Sequence, residues 1–307
     1  MLLALLFAFD FTAPADWMAR NAALLQQRSL AAVVLPGSHD AASYSLGRDS
    51  PVCAARVNRF AGLASFIAAP RARTQEVSLT AQLEGGVRYL DLRVCAVPGT
   101  TRRFFVHHTF LGAPLDEALQ QVDAFSRAHP REILLLDFQH LHGFDDQDRQ
   151  QLARDLEKRF AGRLLPSDSR PGALTVSQLW DAHVGIVVLM DKPPPSPHLF
   201  DRTATLVSRW SNAKSLAALV KALPWMMEAM ETKAAQQQMH VLQWQLTPGL
   251  GQFLRHPFSS LRDFAVGTNR LIEDGTLAKL LPGRHINVVM TDDAVKVAGA
   301  IARLNEP

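Results

Sequence analysis

A single α/β barrel of the TIM (β/α)8 type is the fold class the sequence predicts. Two observations carry it. Short, β-branched apolar runs recur eight times along the 307 residues, and most gaps between them carry a helical pattern. Runs that are apolar almost throughout belong to strands covered on both faces, as in a parallel sheet. The length suits one large barrel. An open, doubly wound sheet is the second reading.

The runs are 31–36, 87–94, 104–108, 132–138, 184–190, 204–209, 240–246 and 286–291. Between them, 115–129 follows Pro114 and stops at Pro130. Residues 145–160 open on Asp145, Asp146 and Asp148, which suits the positive end of a helix. Residues 175–181, 211–233, part of 250–281 (broken at Pro257) and 293–304 also read as helices. Two places strain the pattern. Only residues 95–103 separate the second and third runs, too few for a parallel crossover, so a helix is expected to be missing there. Residues 47–74 form a long irregular stretch, and such stretches usually carry function. Pro193, Pro194, Pro195 and Pro197 read as a stiff loop after the fifth run.

Composition excludes several classes. Apolar residues make up 48% and charged residues 20%, enough apolar surface for a core and not a disordered chain. No apolar run reaches the roughly 18 residues of a membrane span. The formal charge is +3, without a block of consecutive Lys or Arg, so no nucleic-acid partner is expected. Mild positive charge favours an anionic membrane surface or a phosphate substrate. Two cysteines outside any CxxC pair exclude a disulfide scaffold and a cysteine zinc site. Cys53 and Cys95 read either as a pair, in an oxidising compartment, or as two buried thiols, in the cytosol. Residues 1–15 are an apolar segment, read either as a signal remnant, implying secretion, or as a start packed on residues 16–307. In the second case the chain is cytoplasmic or peripheral at a membrane.

In a barrel, chemistry collects at the C-terminal ends of the strands. Here those ends carry His39-Asp40, Asp91 and Arg93, His107-His108, Asp137 to His140, Asp191-Lys192 and Asp292-Asp293. Asp91 and Arg93 share a face by strand alternation, and His107 and His108 point opposite ways. With Val106 inward, His108 reaches the mouth and His107 packs toward the helices. Two imidazoles beside a fixed cation suit phosphodiester cleavage. One removes a proton from the attacking hydroxyl and the other protonates the leaving alcohol. The guanidinium stabilises the added negative charge, and a buried carboxylate holds the base's tautomer.

At this point the chain resembles a known family. LPGSHD (35–40), GVRYLDLRV (86–94), FFVHHTFLG (104–112) and VVMTDD (288–293) resemble the X-domain of phosphatidylinositol-specific phospholipase C. DWM (16–18), HPREILLLDFQH (129–140), LTVSQLW (174–180) and QWQLTP (243–248) extend the likeness in family order over most of 16–293. The resemblance implies a distorted barrel that cleaves phosphatidylinositol-type lipids to diacylglycerol and a cyclic inositol phosphate. It implies His39 as general base, Asp292 as the carboxylate orienting it, His108 as general acid and Asp40 as its support. It also implies Arg93 where calcium-dependent members bind their ion. No metal requirement and no cofactor are therefore expected, with the inositol phospholipid, transient membrane contact and a monomeric state as the partner expectations. Lys192, Trp210, Asn212, Gln245 and His140 are the expected head-group contacts, with Gln243 beside Gln245. Residues 53–69 read as a bilayer-facing rim or as a helix packed on the barrel. The alternatives are a glycerophosphodiester phosphodiesterase-like enzyme and a non-catalytic phosphoinositide-binding barrel.

Overall fold

A computed structural model describes residues 8–53, 65–100, 103–228, 238–255 and 258–307. Its strands are β1 (Leu35–Ser38), β2 (Tyr89–Ala96), β3 (Phe104–His108), β4 (Phe110–Pro114), β5 (Leu134–His142), β6 (Ile186–Met190), β7 (Leu199–Asp201), β8 (Leu206–Arg209), β9 (Met239–Gln243) and β10 (Val288–Thr291). Eight of them form one parallel sheet in the order β7-β6-β5-β2-β1-β10-β9-β8. The sheet curls on itself: Phe200 on β7 and Leu206 on β8 share an inner core with Leu35, Leu135, Leu189, Val241 and Met290. No ladder joins β7 to β8 among the described residues. The fold is thus an α/β barrel left open at one seam, which the single-turn helix Arg202–Thr205 spans. That bears out the barrel and sets the doubly wound sheet aside.

Strand alternation sorts the side chains. Leu90, Leu92 and Val94 face outward and pack under the helices Leu79–Glu84, Leu115–Ala128 and Asp146–Arg159. Leu242, Trp244 and Val289 do the same under Leu216–Glu228 and Ala265–Glu273. The helices begin where the sequence chemistry places them. Leu115–Ala128 starts directly after Pro114 with Asp116 and Glu117 in its first turn. Asp146–Arg159 is closed by a capping box between Asp145 and Asp148. Among the described residues no helix is long and apolar enough to cross a membrane.

Three sequence expectations need correction. Residues 104–108 are a strand, but β3 pairs antiparallel with the overhanging end of β2, Val94 opposite Val106, and not within the parallel barrel. The described residues of 95–103 hold no helix, as expected, and the reason is that a hairpin needs only a short connection. The eighth barrel strand is instead β7, three residues beyond the proline-rich loop and too short to stand out in the sequence. The first strand begins at Leu35, because Leu30–Ala32 form a 3-10 turn. The helix expected over 211–233 spans Leu216–Glu228, and its expected last residues, 229–233, lie outside the described residues. So do Pro257, residues 1–7 and 54–64, the last holding much of the 53–69 stretch.

The foot of the barrel is closed by the N-terminal segment. Phe9 and Phe11 pack against the core and Trp17 and Met18 sit within it, and the Trp17 indole donates to the Gly86 carbonyl at 3.0 Å. Beneath them lies a fully buried ion pair, with Arg88 Nε donating to Glu132 Oε2 at 2.8 Å. Arg88 also donates to the carbonyls of Pro14, Ala15, Leu83 and Val87. Glu132 accepts from the amides of Met18 and Ala19. At the opposite end, Cys53 and Cys95 are joined as a disulfide, resolving the two readings left open by the sequence.

Gly37 lies on the inner face of β1, where only a hydrogen fits. A Cβ there would lie 2.7 Å from Val288 Cγ1 and 3.1 Å from Tyr89 Cδ1. Gly37→Val is therefore expected to cost about 1–3 kcal/mol by overpacking, measured by urea unfolding. A variant as stable as the parent would show that the inner layer has slack.

Candidate active site

The inner face of the barrel turns polar toward the mouth. Its deepest charged layer is a network on β2, β5 and the seam. Arg202 Nε donates to both Asp137 oxygens, at 2.8 and 3.0 Å, and Arg202 Nη2 reaches Gln139 Oε1 at 3.3 Å. The Tyr89 hydroxyl donates to the same carboxylate. Burial pushes the Asp137 carboxyl up to about 6, against the pull of Arg202.

Above this layer, Asp91 and Arg93 point the same way from β2, as alternation predicts. Arg93 Nη2 lies 3.0 Å from Asp91 Oδ2, and Arg93 Nη1 lies 2.9 Å from Asp40 Oδ2. Burial alone would raise Asp91; the Arg93 guanidinium more than offsets it and holds the carboxyl well below its usual range. Asp40 follows β1 with φ 44°, in the left-handed region that Asp tolerates better than most residues. Its amide is anchored on Asp91 Oδ2 at 3.0 Å.

His39 stands at the end of β1 beside Asp292 at the end of β10. Its Nδ1 is 2.6 Å from Asp292 Oδ1, and its Nε2 is 2.8 Å from Arg93 Nη2. A guanidinium nitrogen only donates, so Nε2 accepts and the ring proton sits on Nδ1, facing the carboxylate. Burial opposes charging of His39, yet the adjacent Asp292 outweighs it and the proton affinity is raised. Burial likewise raises Asp292.

His108 reaches the mouth from the β3 hairpin, where the chain turns back at Thr109 (φ 68°). His108 Nδ1 is 2.8 Å from the Ala72 carbonyl and Nε2 is 3.2 Å from Asp40 Oδ2. Both ring nitrogens thus face acceptors. The His39 and His108 ring centres lie 6.2 Å apart. His107 is buried on the other side of β3, edge-on to His142 at 4.7 Å, and lines a small void with Asp40 and Arg93.

The five residues expected to carry chemistry, His39, Asp40, Arg93, His108 and Asp292, are therefore brought together. The expected head-group contacts are more dispersed. Gln245 is buried, donates to Gln243 Oε1 at 3.0 Å, and leaves its own Oε1 without a hydrogen bond. His140 is exposed on β5 opposite Arg93. Trp210 is 52% exposed and donates to Thr247. Lys192 and Asn212 occupy exposed left-handed turns, and the Asn212 side chain is engaged by Lys214. Arg202 was not foreseen, because the strand that delivers it was not read. Asp91 and Asp137 were visible at strand ends but were not singled out.

The fold and its mouth define a class: an α/β barrel whose rim gathers two imidazoles, a guanidinium and three carboxylates. No family model matches the chain. PI-PLC X domain-containing protein 2 of Mus musculus is 28% identical over 303 residues, covering 95% of this chain and 88% of the relative. Variant-surface-glycoprotein phospholipase C of Trypanosoma cruzi is 35% identical over 228 residues, 68% of this chain and 60% of that protein. Among solved structures, phosphatidylinositol-specific phospholipase C from Listeria monocytogenes superimposes with a TM-score of 0.68 at 19% identity, over 96% of this chain and all (100%) of that one. The chain is a relative of the proteins that carry the PI-PLC X domain, as its ordered motifs implied.

Proposed function

We propose that the chain is a phosphoric diester hydrolase of the phospholipase C type, acting on phosphatidylinositol-type lipids by acid–base catalysis. The observation that carries this reading is the pair of imidazoles, each beside a carboxylate, on either side of the half-buried Arg93 guanidinium. His39 presents an accepting Nε2 backed by Asp292. His108 bonds the Ala72 carbonyl through Nδ1 and places Nε2 3.2 Å from Asp40 Oδ2, a carboxylate that favours the charged, proton-donating form of the ring.

In the reaction, the substrate phosphate draws Arg93 Nη2 away from His39 and frees that lone pair. His39 Nε2 takes the proton of the inositol 2-hydroxyl, whose oxygen attacks phosphorus. The bond from phosphorus to the diacylglycerol oxygen breaks, and that oxygen takes a proton from His108 Nε2. Asp40 holds both His108 and Arg93, and Arg93 stabilises the added charge at phosphorus. The products are diacylglycerol and a cyclic inositol phosphate. Gln245, through its unpartnered Oε1, is the best supported of the head-group contacts; Lys192, Trp210, Asn212 and His140 complete the proposed rim.

The reading includes metal independence. Arg93 already takes the carboxylates of Asp40 and Asp91, and a divalent ion would compete with it for the same oxygens. The names of the trypanosomal and Listeria proteins support the phospholipase C class, whereas the X-domain names state no activity, so a barrel that binds inositol lipids without cleaving them is the second reading.

Phosphorus NMR of phosphatidylinositol in detergent micelles with EDTA is expected to show a cyclic inositol phosphate. Signal only after calcium addition would overturn metal independence. Lipid binding without turnover under either condition would favour the second reading.

A further inference from the structure

We propose that Gln75 is a positioning residue that sets the spacing of His39 and Asp292 across the junction of β1 and β10. The proposal rests on the reading of His39 as base and Asp292 as the carboxylate orienting it.

These two residues come from adjacent strands, but just beyond the ladder that joins them. The last register pair is Ser38 with Thr291, and the last backbone bond runs from the His39 amide to the Thr291 carbonyl at 3.1 Å. Past that point both chains leave the sheet through left-handed residues, Asp40 (φ 44°) and Asp293 (φ 52°). Nothing in the strand pairing fixes how far apart the two ends then lie.

The Gln75 side chain enters at this point. Its Nε2 donates to the His39 carbonyl at 2.9 Å and to the Thr291 carbonyl at 3.0 Å, and its Oε1 accepts from the Ala294 amide at 3.0 Å. One amide thus bonds the backbone of the base and the residues flanking the carboxylate, and it is fully buried while doing so. A glutamate lacks the two donors, and an asparagine is one methylene shorter.

The neighbouring residues extend the same device. Thr74 Oγ1 donates to the His39 carbonyl at 2.7 Å, and the Thr74 carbonyl accepts from the Asp293 amide at 2.8 Å. Two residues earlier, the Ala72 carbonyl holds His108. Residues 72–75 therefore touch the supports of both imidazoles. Gln75 bonds only backbone groups of the site and acts through the residues it holds.

A dyad held at 2.6 Å is sensitive to small displacements, since a misplacement of about 1 Å can cost on the order of 10²-fold in rate. The groups facing His39 are Asp292 from β10, Arg93 from β2, Asp40 from its own loop and His108 from β3. Asp292 and Asp40 raise its proton affinity; burial and Arg93 lower it. Loosening Asp292 removes a raising influence, so the acidic limb of the rate profile moves to lower pH.

The test compares the full chain with Gln75→Met, Thr74→Val and Asn305→Leu, assayed on phosphatidylinositol micelles. Asn305 is the matched control. It is also fully buried and makes three bonds, to both backbone groups of Val34 and to the Ala302 carbonyl, but at the barrel foot. Gln75→Met is expected to lower kcat by about 10–100-fold, with KM changed less than about threefold. Its acidic limb should move down by roughly half a pH unit or more. Thr74→Val should move both readouts less, in the same direction. Asn305→Leu should lose thermal stability but keep kcat and the limb. An unshifted limb and kcat in Gln75→Met, or equal changes in Asn305→Leu, would overturn the proposal. If Gln75→Met does not fold, Thr74→Val decides by the same criteria. Equal turnover by the parent and His39→Ala would sink the base assignment itself. NMR titration of the His39 ring in Gln75→Met then still reports whether Gln75 governs its coupling to Asp292.

Discussion

His39→Ala is expected to lower kcat on phosphatidylinositol by about 10²–10⁴-fold, the usual worth of one general base, while leaving KM nearly unchanged. The substitution also leaves the buried Asp292 carboxylate without its imidazole partner, so the unfolding midpoint should fall as well. The parent's pH profile checks the same assignment. A base must be neutral to act, and Asp292 raises the proton affinity of His39 despite burial. Activity should therefore fall as pH drops through a value above the ordinary imidazole value of about 6.5, and the His39→Ala profile should lack that limb. A loss smaller than about tenfold, or a limb that survives the substitution, would remove His39 from the reaction.

The largest expected effect on stability lies at the other end of the molecule. Glu132→Gln removes the charge that compensates the fully buried Arg88 guanidinium, 2.8 Å away. Breaking one partner of such a pair costs about 3–5 kcal/mol, because the remaining charge stays buried without compensation. The same carboxylate receives the amides of Met18 and Ala19, so the N-terminal closure of the barrel foot should loosen with it. Urea unfolding measures the loss, and a change under about 1 kcal/mol would mean that Arg88 finds water or another acceptor. The active site is built at the opposite strand ends, so residual activity below the unfolding transition should stay close to that of the parent.

How much of this was legible in the sequence follows from the range of the forces involved. Continuous apolar runs mark strands buried on both faces, and seven of the eight barrel strands could be located from them. His39, Arg93 and Asp292 were legible for a related reason: a polar residue closing an apolar run lies at a strand end, where barrels place chemistry. His108 was assigned to the mouth by alternation along 104–108, although the element carrying it is a hairpin and not a barrel strand. Arg202 was not legible. Its strand β7 is three residues long, and no periodicity resolves in three residues. Gln75 was not legible either. Its partners are backbone carbonyls 36 and 216 positions away in sequence, and a backbone carbonyl leaves no trace in residue type. The pairing of Cys53 with Cys95 depends on the hairpin and loop meeting in space, which two isolated cysteines do not announce.

The open seam has a consequence for self-association. A sheet that does not close keeps edges, and an unpaired strand edge is a template on which another chain can add a strand. In this molecule the edges are blunt. β7 offers three residues and β8 four, and the single-turn helix between them places the two edges at the same opening. The third edge, β4, ends in Pro114, which has no amide to donate, and residues 51–53 lie along it through bonds from Leu111 to Pro51 and from Cys53 to Thr109. A ten-stranded sheet rich in non-local pairing folds slowly and would otherwise stand exposed to aggregation; among the described residues, edges this short leave a second chain little backbone along which to add a strand.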